Sequence, residues 1–449
     1  MQRDDSTANV AVLRDFAHVH AGSAEDYEPL MELIGDARVV LLGQASYGTH
    51  EFYAARARIT RRLIEQKGFR AVAVAADWAD ASHVNRYVQG DGDDGDARAA
   101  LDGFRHFATS TARNAAVVDF LEWLRAYNQS LQGDPPIGFH GLDLYNLHNS
   151  NGTVAAYLDQ IDPVAARQMR SRYAYACFGD FSDETRAYGD EFGLTLGRSC
   201  EDEMIMELVE SWQRSADTIL SERRIAEHEA FFTEHEELLA HNAEWYYRAM
   251  FGGKASSWNL RNRHLDEMLA ALVDHLEGSG AGGKVVLWAH NAHVGDSRAN
   301  EMQHRGELSV GQLARERYGE AAVLIGLTTY QGTVRAAPEW GSPFEQRTVL
   351  PSLPDSYESL FHEIGHPRFV LPIRGCDKVN EALRGPRRQR SIGVIYRPEA
   401  EPFNNYFRTR LNDQFDAVVH FDQTTAVHPL YGDPEYEEEE IPTTIPACV

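Results

Sequence analysis

Cysteine is scarce in this chain. Its 449 residues hold four, Cys177, Cys200, Cys376 and Cys448, and no two form a CxxC pair. That argues against a zinc cage or a thioredoxin-type motif and fits an intracellular setting. Long apolar runs are missing as well: none approaches the roughly 18 residues that a transmembrane helix requires. The first 22 residues lack an apolar core and carry Arg3, Asp4, Asp5 and Arg14, so they do not read as a signal peptide. A cytoplasmic protein is expected. Positive charge is in deficit, with 43 Lys and Arg against 68 Asp and Glu, a formal net charge of −25. Such a surface repels phosphate backbones and anionic lipid. The expected partner is therefore a small-molecule substrate, with no nucleic acid and no membrane.

What is present is a globular composition. The hydrophobic fraction of 43% and charged fraction of 25% exclude a largely disordered or fibrous chain. Short apolar runs alternate with amphipathic stretches. The strand candidates are Val39–Leu42, Ala71–Val74, Ile137–Gly141, Lys284–Ala289, Ala322–Leu327, Phe369–Leu371, Ile392–Tyr396 and Ala417–Phe421. They are nearly continuous in hydrophobicity, as strands covered on both faces should be. Between the first two, Phe52, Ala55, Ile59, Leu63 and Ile64 share a helical face, and Gly68 ends the pattern. The fold class read from this alternation is α/β: a central, mostly parallel or mixed sheet flanked by helices, with an inserted helical subdomain. Residues 1–150 and 280–432 form the discontinuous core. Residues 151–279 form the helical insertion and one wall of a cleft, and 433–449 an acidic C-terminal tail.

In open α/β sheets, sites form beyond the C-terminal ends of the strands. The polar residues gather there: Gln44, Ser46, Tyr47, His50 and Glu51 after the first run, Asp77 after the second, His290 and His293 after the fourth, and Arg397 after the seventh. If the strands are parallel, these groups converge on one rim. His290 and His293 suit proton transfer near neutral pH. Structural hydrogen bonding and metal binding are the alternatives, and no third metal ligand is evident by spacing. The Gly43–Glu51 loop lacks the Lys-Ser/Thr ending of a P-loop and the GxGxxG spacing, and Ser46 does not sit in a GxSxG elbow. Ser46 or Thr49 reads instead as a helix cap. Arg56 is placed to hold a carboxylate, or to pair with Asp77 or Glu51. Trp258, Arg261 and His264 share a helical face. The aromatic residues between Tyr173 and Phe192 read as packing of the insertion.

The stretches LLGQASYGTHEFYAARARITRRLIEQKGFRAVAVAADW, SSWNLRNRHL, VVLWAHNAHVGDSR, GELSVGQLARERYG, SIGVIYRPEAE and FDAVVHFDQTTAVHPL, in that order, resemble the erythromycin esterase family. The resemblance spans roughly Val10 to Leu430. It implies an α/β core with a helical insertion and a deep cleft. It also implies metal-independent hydrolysis of a lactone or ester by water activated on histidine and carboxylate, with no cofactor.

This chain departs from the family pattern where the chemistry lies. The pattern G-E-x-T-H-G becomes G-Q-A-S-Y-G, with Gln44 at the glutamate position and Tyr47 at the histidine position. V-E-A-D-W becomes V-A-A-D-W, with Ala75 for a glutamate, and S-H-Y becomes Asn404-Asn405-Tyr406. D-E-T becomes Asp422-Gln423-Thr424. Glutamine is no base, and tyrosine, with a reference pKa of about 10, stays protonated at neutral pH. Three readings follow. The first is an ester or lactone hydrolase that works through His290, His293, Tyr47 and Glu51, and binds substrate through Gln44, Ser46, His50, Arg56, Asp77, Arg261 and Arg397. The second is a non-hydrolytic lyase, cyclase or transferase of natural-product biosynthesis that uses Tyr47 and His290. The third is a non-catalytic ligand-binding relative.

Overall fold

The computed structural model describes residues 2–20, 22–23, 25–92, 94–104, 112–143, 254–339 and 342–430. They belong to one compact unit, Met1–Asp143 with Lys254–Glu438 and Pro442–Val449. The insertion expected over 151–279 lies outside the described residues up to 253, as do the stretch from Tyr173 to Phe192 and the acidic tail.

Among the described residues, nine strands make one sheet. They are β1 (His18–Val19), β2 (Val39–Leu42), β3 (Ala71–Asp77), β4 (Gly138–Asp143), β5 (Val285–Trp288), β6 (Ala322–Ala336), β7 (Glu345–Val349), β8 (Arg368–Pro372) and, near the chain end, β11 (Ala417–Thr424). The order is β1-β8-β11-β6-β2-β5-β3-β4, with β7 hairpinned onto β6. Strands β4, β3, β5, β2, β6 and β11 run parallel, while β8 is antiparallel to β11 and β1 to β8. β2 and β5 (VVLL and VVLW) are buried along their whole length, which is why their sequences carry no alternation.

Helix α1 spans Gln2–Phe16 and α2 spans Glu28–Ile34. Helix α3 (His50–Lys67) returns the chain from β2 to β3 and buries Phe52, Ala55, Ile59, Leu63 and Ile64, the face its periodicity marks. Gly68 follows at φ 72°, where a side chain would be strained, and its N–H closes on Leu63 O. Helices α4 (Trp78–Gln89), α5 (Ala97–Ala100) and α6 (Ala115–Ser130) precede β4. Helix α7 (Lys254–Gly278) buries Leu265, Met268, Leu269, Leu272 and Val273 and packs on β4 and β5, so this segment, expected in the insertion, is part of the core.

Two other expectations are corrected. Ile392–Tyr396 is no strand: it meets its neighbours through single bridges, Ser46 to Ile392 and Ala337 to Ile395, and packs Ile392 and Tyr396 on Val334, Ala336 and Val349. The strands in that region are β9 (Arg387–Arg390) and β10 (Tyr406–Thr409), a separate antiparallel pair. β6 runs well past Leu327, to Ala336, because β7 supplies it with hydrogen bonds.

The register sets the site. Leu42 is level with Trp288, and Trp288 with Val74. Gly43 and Ala289 therefore leave their strands at the height of Ala75, which lies within β3. The chain crosses from β2 to β3 on one side and later from β5 to β6 on the other, so the C-terminal ends of β2 and β5 form the crevice where α/β sheets hold ligands.

Candidate functional site

The loops that follow β2 and β5 meet at this rim. After β2, Gly43 must be glycine: a Cβ there would meet Asn291 Oδ1 at 2.0 Å. That close approach locks the β2 loop to the β5 loop. Asn291 in turn donates from Nδ2 to Leu327 O at 2.9 Å and accepts from Leu327 N, tying both to β6.

His290 caps helix α8 (Asn291–Val294): its Nδ1 accepts from the Ala292 N–H at 3.2 Å. The proton must then sit on Nε2, which donates to Ile392 O at 3.2 Å. Burial pushes its pKa down to about 4, carbonyl acceptors at Ala45 and Ile392 resist this, and the charge of Arg56 adds to the fall. The ring stacks on Tyr47, with centroids 4.9 Å apart and planes 19° from parallel.

His293 is held differently. Asn262 Oδ1 accepts from the Val310 N–H while its Nδ2 donates to Trp258 O, which fixes the amide orientation. His293 Nδ1 lies 2.8 Å from that oxygen and must donate to it. Its Nε2 then carries the lone pair. Burial, with Arg261 and His290 nearby, holds its pKa well below the usual histidine range, and Trp258 stacks on it at 4.4 Å. His293 faces helix α7, whereas His290 faces a cavity.

That cavity has a volume of about 60 Å³. Gln44, Tyr47, Tyr53, Arg56, Trp288 and His290 supply its polar and aromatic lining, and Val74, Ala75, Leu101, Phe104, Val117 and Phe139 most of the rest. Arg56, on α3, is 3% exposed. Its guanidinium carbon sits 4.6 Å from the Tyr53 ring centroid and 5.1 Å from that of Trp288. Burial pulls its pKa down to about 10, opposed by Tyr53 and Tyr47, so it stays charged at neutral pH. No carboxylate of the described residues pairs with it, and its Nε has no hydrogen-bond partner among them. The expected pairing of Arg56 with Asp77 or Glu51 is not formed. Gln44, buried at the same cavity, likewise leaves its Oε1 without a partner.

The other expected site residues lie elsewhere. Ser46 and Thr49 bond to each other through their hydroxyls, and Thr49 caps α3 without a side-chain bond, so neither acts as the expected side-chain cap. Glu51 accepts from both the N–H and the hydroxyl of Thr425, at 2.7 and 2.9 Å. His50 opens α3 and takes no part in the cavity wall; its N–H bonds Thr425 O. Asp77 is buried at the end of β3. Arg261 grips Asp143, at the end of β4, through Nε at 2.9 Å and through its second nitrogen. Arg397 is half-exposed and holds Pro338 O and Glu339. Asn405 donates to Ser391 O at 3.2 Å.

Sequence reasoning missed Tyr53, Trp288 and Asn262. Trp288 was legible as a strand residue but not as a wall, and its Nε1 is anchored on Thr60 at 2.9 Å. Asn262 adjoins Arg261 in SSWNLRNRHL, but its hold on His293 needs the fold. Also missed was the buried cluster around Arg390, which binds Glu401 at 2.6 Å and the carbonyls of Thr329, Tyr330 and Leu350. Among the described residues no helix is long and apolar enough to cross a membrane, and no three His, Cys, Asp or Glu side chains form a metal-holding group.

Comparison with known proteins accords with the fold. An Escherichia coli protein described as erythromycin esterase type II is 22% identical over 429 residues, which is 91% of this chain and 94% of the relative. A crystal structure of a Bacillus cereus protein superposes with a TM-score of 0.69 at 18% identity, covering 95% of this chain and 99% of the other. A succinoglycan biosynthesis protein gives 0.66 at 22% identity, over 94% and 98%. A mutant of the erythromycin esterase EreC in its open conformation gives 0.59 at 18% identity, over 91% and 96%. The erythromycin esterase family model matches residues 64–424, and the chain belongs to that family.

Proposed function

We propose that this hydrolase-like chain cleaves an ester or lactone bond in a small natural-product-like molecule held at the ends of β2, β3 and β5. One observation carries the reading: a neutral imidazole (His290), the ring stacked on it (Tyr47) and a guanidinium with no carboxylate partner (Arg56) line the same cavity. His290 is the group facing the cavity that can take a proton from water. With a pKa near 4 it is neutral across the physiological range. To accept at Nδ1 it must release the 3.2 Å contact with Ala292. Arg56 and Gln44 orient the polar end of the substrate. His293 supports the α7 side and acts through position, since its ring is held by Asn262 and Trp258.

A base this weak activates water poorly. Both nitrogens of His290 are engaged by backbone, and this favours a second reading, a ligand-binding relative with little or no turnover. The lyase, cyclase or transferase reading has less support, since Tyr47 meets His290 ring to ring.

The test is a mass-spectrometric assay with a panel of macrolides, simple lactones and esters. Gain of one water, lost in His290→Ala with folding intact, supports hydrolysis. Ligand binding without any product on the whole panel moves the weight to the binding reading.

A further inference from the structure

We infer that the cavity beside Arg56 is a carboxylate-binding site, so that the molecule it takes is an organic acid whose anionic end sits against this guanidinium. The inference rests on reading this cavity as the ligand site, and goes further by naming the group it binds.

A buried ion without a counter-ion is costly, and such groups are ordinarily paired. Elsewhere in this fold the buried arginines obey that rule: Arg261 has Asp143, and Arg390 has Glu401. Arg56 is buried to the same degree and has two aromatic rings, Tyr53 and Trp288, where those have a carboxylate. Aromatic faces attract a guanidinium, and Tyr53 also offers it a side-chain hydrogen bond, but a neutral phenol supplies no counter-charge. Its Nε is left without a partner. The cavity wall itself supplies no anion: none of the residues lining it is an acid, Gln44 and Ala75 included.

Shape and lining narrow the ligand. An apolar cavity of 150 Å³ accepts benzene. About 60 Å³ accommodates a carboxylate with a short chain as the part of a ligand that enters it. A carboxylate matches the planar fork of arginine in two parallel hydrogen bonds. The remaining wall, with Leu101, Phe104, Val117 and Phe139, suits the alkyl part that follows. The amide of Gln44 completes the polar end. A transient oxyanion would leave Arg56 uncompensated for most of the time, whereas a bound carboxylate compensates it in the resting complex.

Butyrate and its neutral isostere butyramide are the probes, read by calorimetry on the full chain. Butyrate should bind at least about tenfold more tightly than butyramide, since hydrogen bonds to a charged group are the stronger kind. Arg56→Gln should bring the two within about twofold. Ala75→Glu should place a resident carboxylate at the wall and weaken butyrate about tenfold more than butyramide. Equal binding of the two probes to the unaltered protein, or no binding of either, overturns the inference without any variant. If Arg56→Gln does not fold, a folded Ala75→Glu that binds butyrate undiminished overturns it too. These are equilibrium readouts. Butyrate preference without turnover of any ester would leave this inference standing and defeat the hydrolase reading. Turnover of neutral esters with no butyrate preference would do the reverse.

Discussion

Tyr47 lies flat against His290, ring centroid to ring centroid at 4.9 Å, and so covers one face of the imidazole. The stack ties the β2 loop to the β5 loop at the cavity wall. It also helps to keep water off a histidine whose pKa burial has lowered to about 4. Tyr47→Ala opens that face, and the pKa of His290 is predicted to rise toward the reference value of about 6.5. Tyr47→Phe keeps the ring and should leave it low. An NMR titration of the His290 ring protons decides it; equal values in the two variants would mean that burial by other groups sets the shift. The lost aromatic contact should also cost about 0.5–1.5 kcal/mol in unfolding free energy.

The buried histidines make stability depend on pH in a definite direction. His264 and His290 both have pKa values lowered by burial to about 4. In the unfolded chain both return to about 6.5. Between those values the unfolded chain binds protons that the folded chain does not, so unfolding free energy falls as pH drops through 6.5 toward 4. Each group contributes on the order of 3 kcal/mol over that window. Urea unfolding from pH 7.5 to 4.5 should show a plateau above about 6.5 and a steep decline below it. A flat profile would contradict the burial of these two rings.

How much of this was legible before the structure depends on where the signal resides. Val39–Leu42 and Val285–Trp288 were readable because strands buried on both faces must be continuously apolar. Arg387–Arg390 carries no such signal, since RRQR forms its strand by pairing with Tyr406–Thr409. Ile392–Tyr396 carried a false one: the run is apolar because it packs on Val334, Ala336 and Val349, not because it joins a ladder. The rim was legible for the same reason that the sheet was. Parallel strands in register bring the residues after β2 and β5 level with Ala75 of β3. Sequence could place Arg56 near that rim but could not show whether Asp77 or Glu51 reached it. Nor could it pair Arg261 with Asp143, 118 residues away.

That Arg261–Asp143 pair supplies a stability prediction. Both side chains are buried, and the pair joins α7 to the end of β4. Removing one partner withdraws a buried counter-charge from the other, so Arg261→Met should lose about 3–5 kcal/mol. Arg261→Met combined with Asp143→Leu removes both charges and should recover part of that loss. Denaturant unfolding of the three variants measures it. A double variant no better than the single one would show that the bond matters through geometry and not through charge compensation.

Glu51 separates a structural from a chemical role at the same rim. The sequence pattern marks it as a candidate acid or base, yet both carboxylate oxygens are taken by Thr425, just past the end of β11. The carboxylate also lies in the first turn of α3, where the helix N-terminus favours a negative charge. The geometry makes it a clasp between α3 and β11. Glu51→Gln keeps one acceptor oxygen and loses the charge, so it should cost about 1 kcal/mol of stability. Turnover of any ester identified in the panel should change less than about threefold. A general acid or base at this position would give the opposite pattern, a fall of 10²–10⁴-fold in rate with stability nearly unchanged. Measuring kcat and denaturant midpoint on the same preparation distinguishes the two. Thr425→Val, which removes one of the two bonds without touching any acid or base, should reproduce part of the stability loss if the clasp is its role.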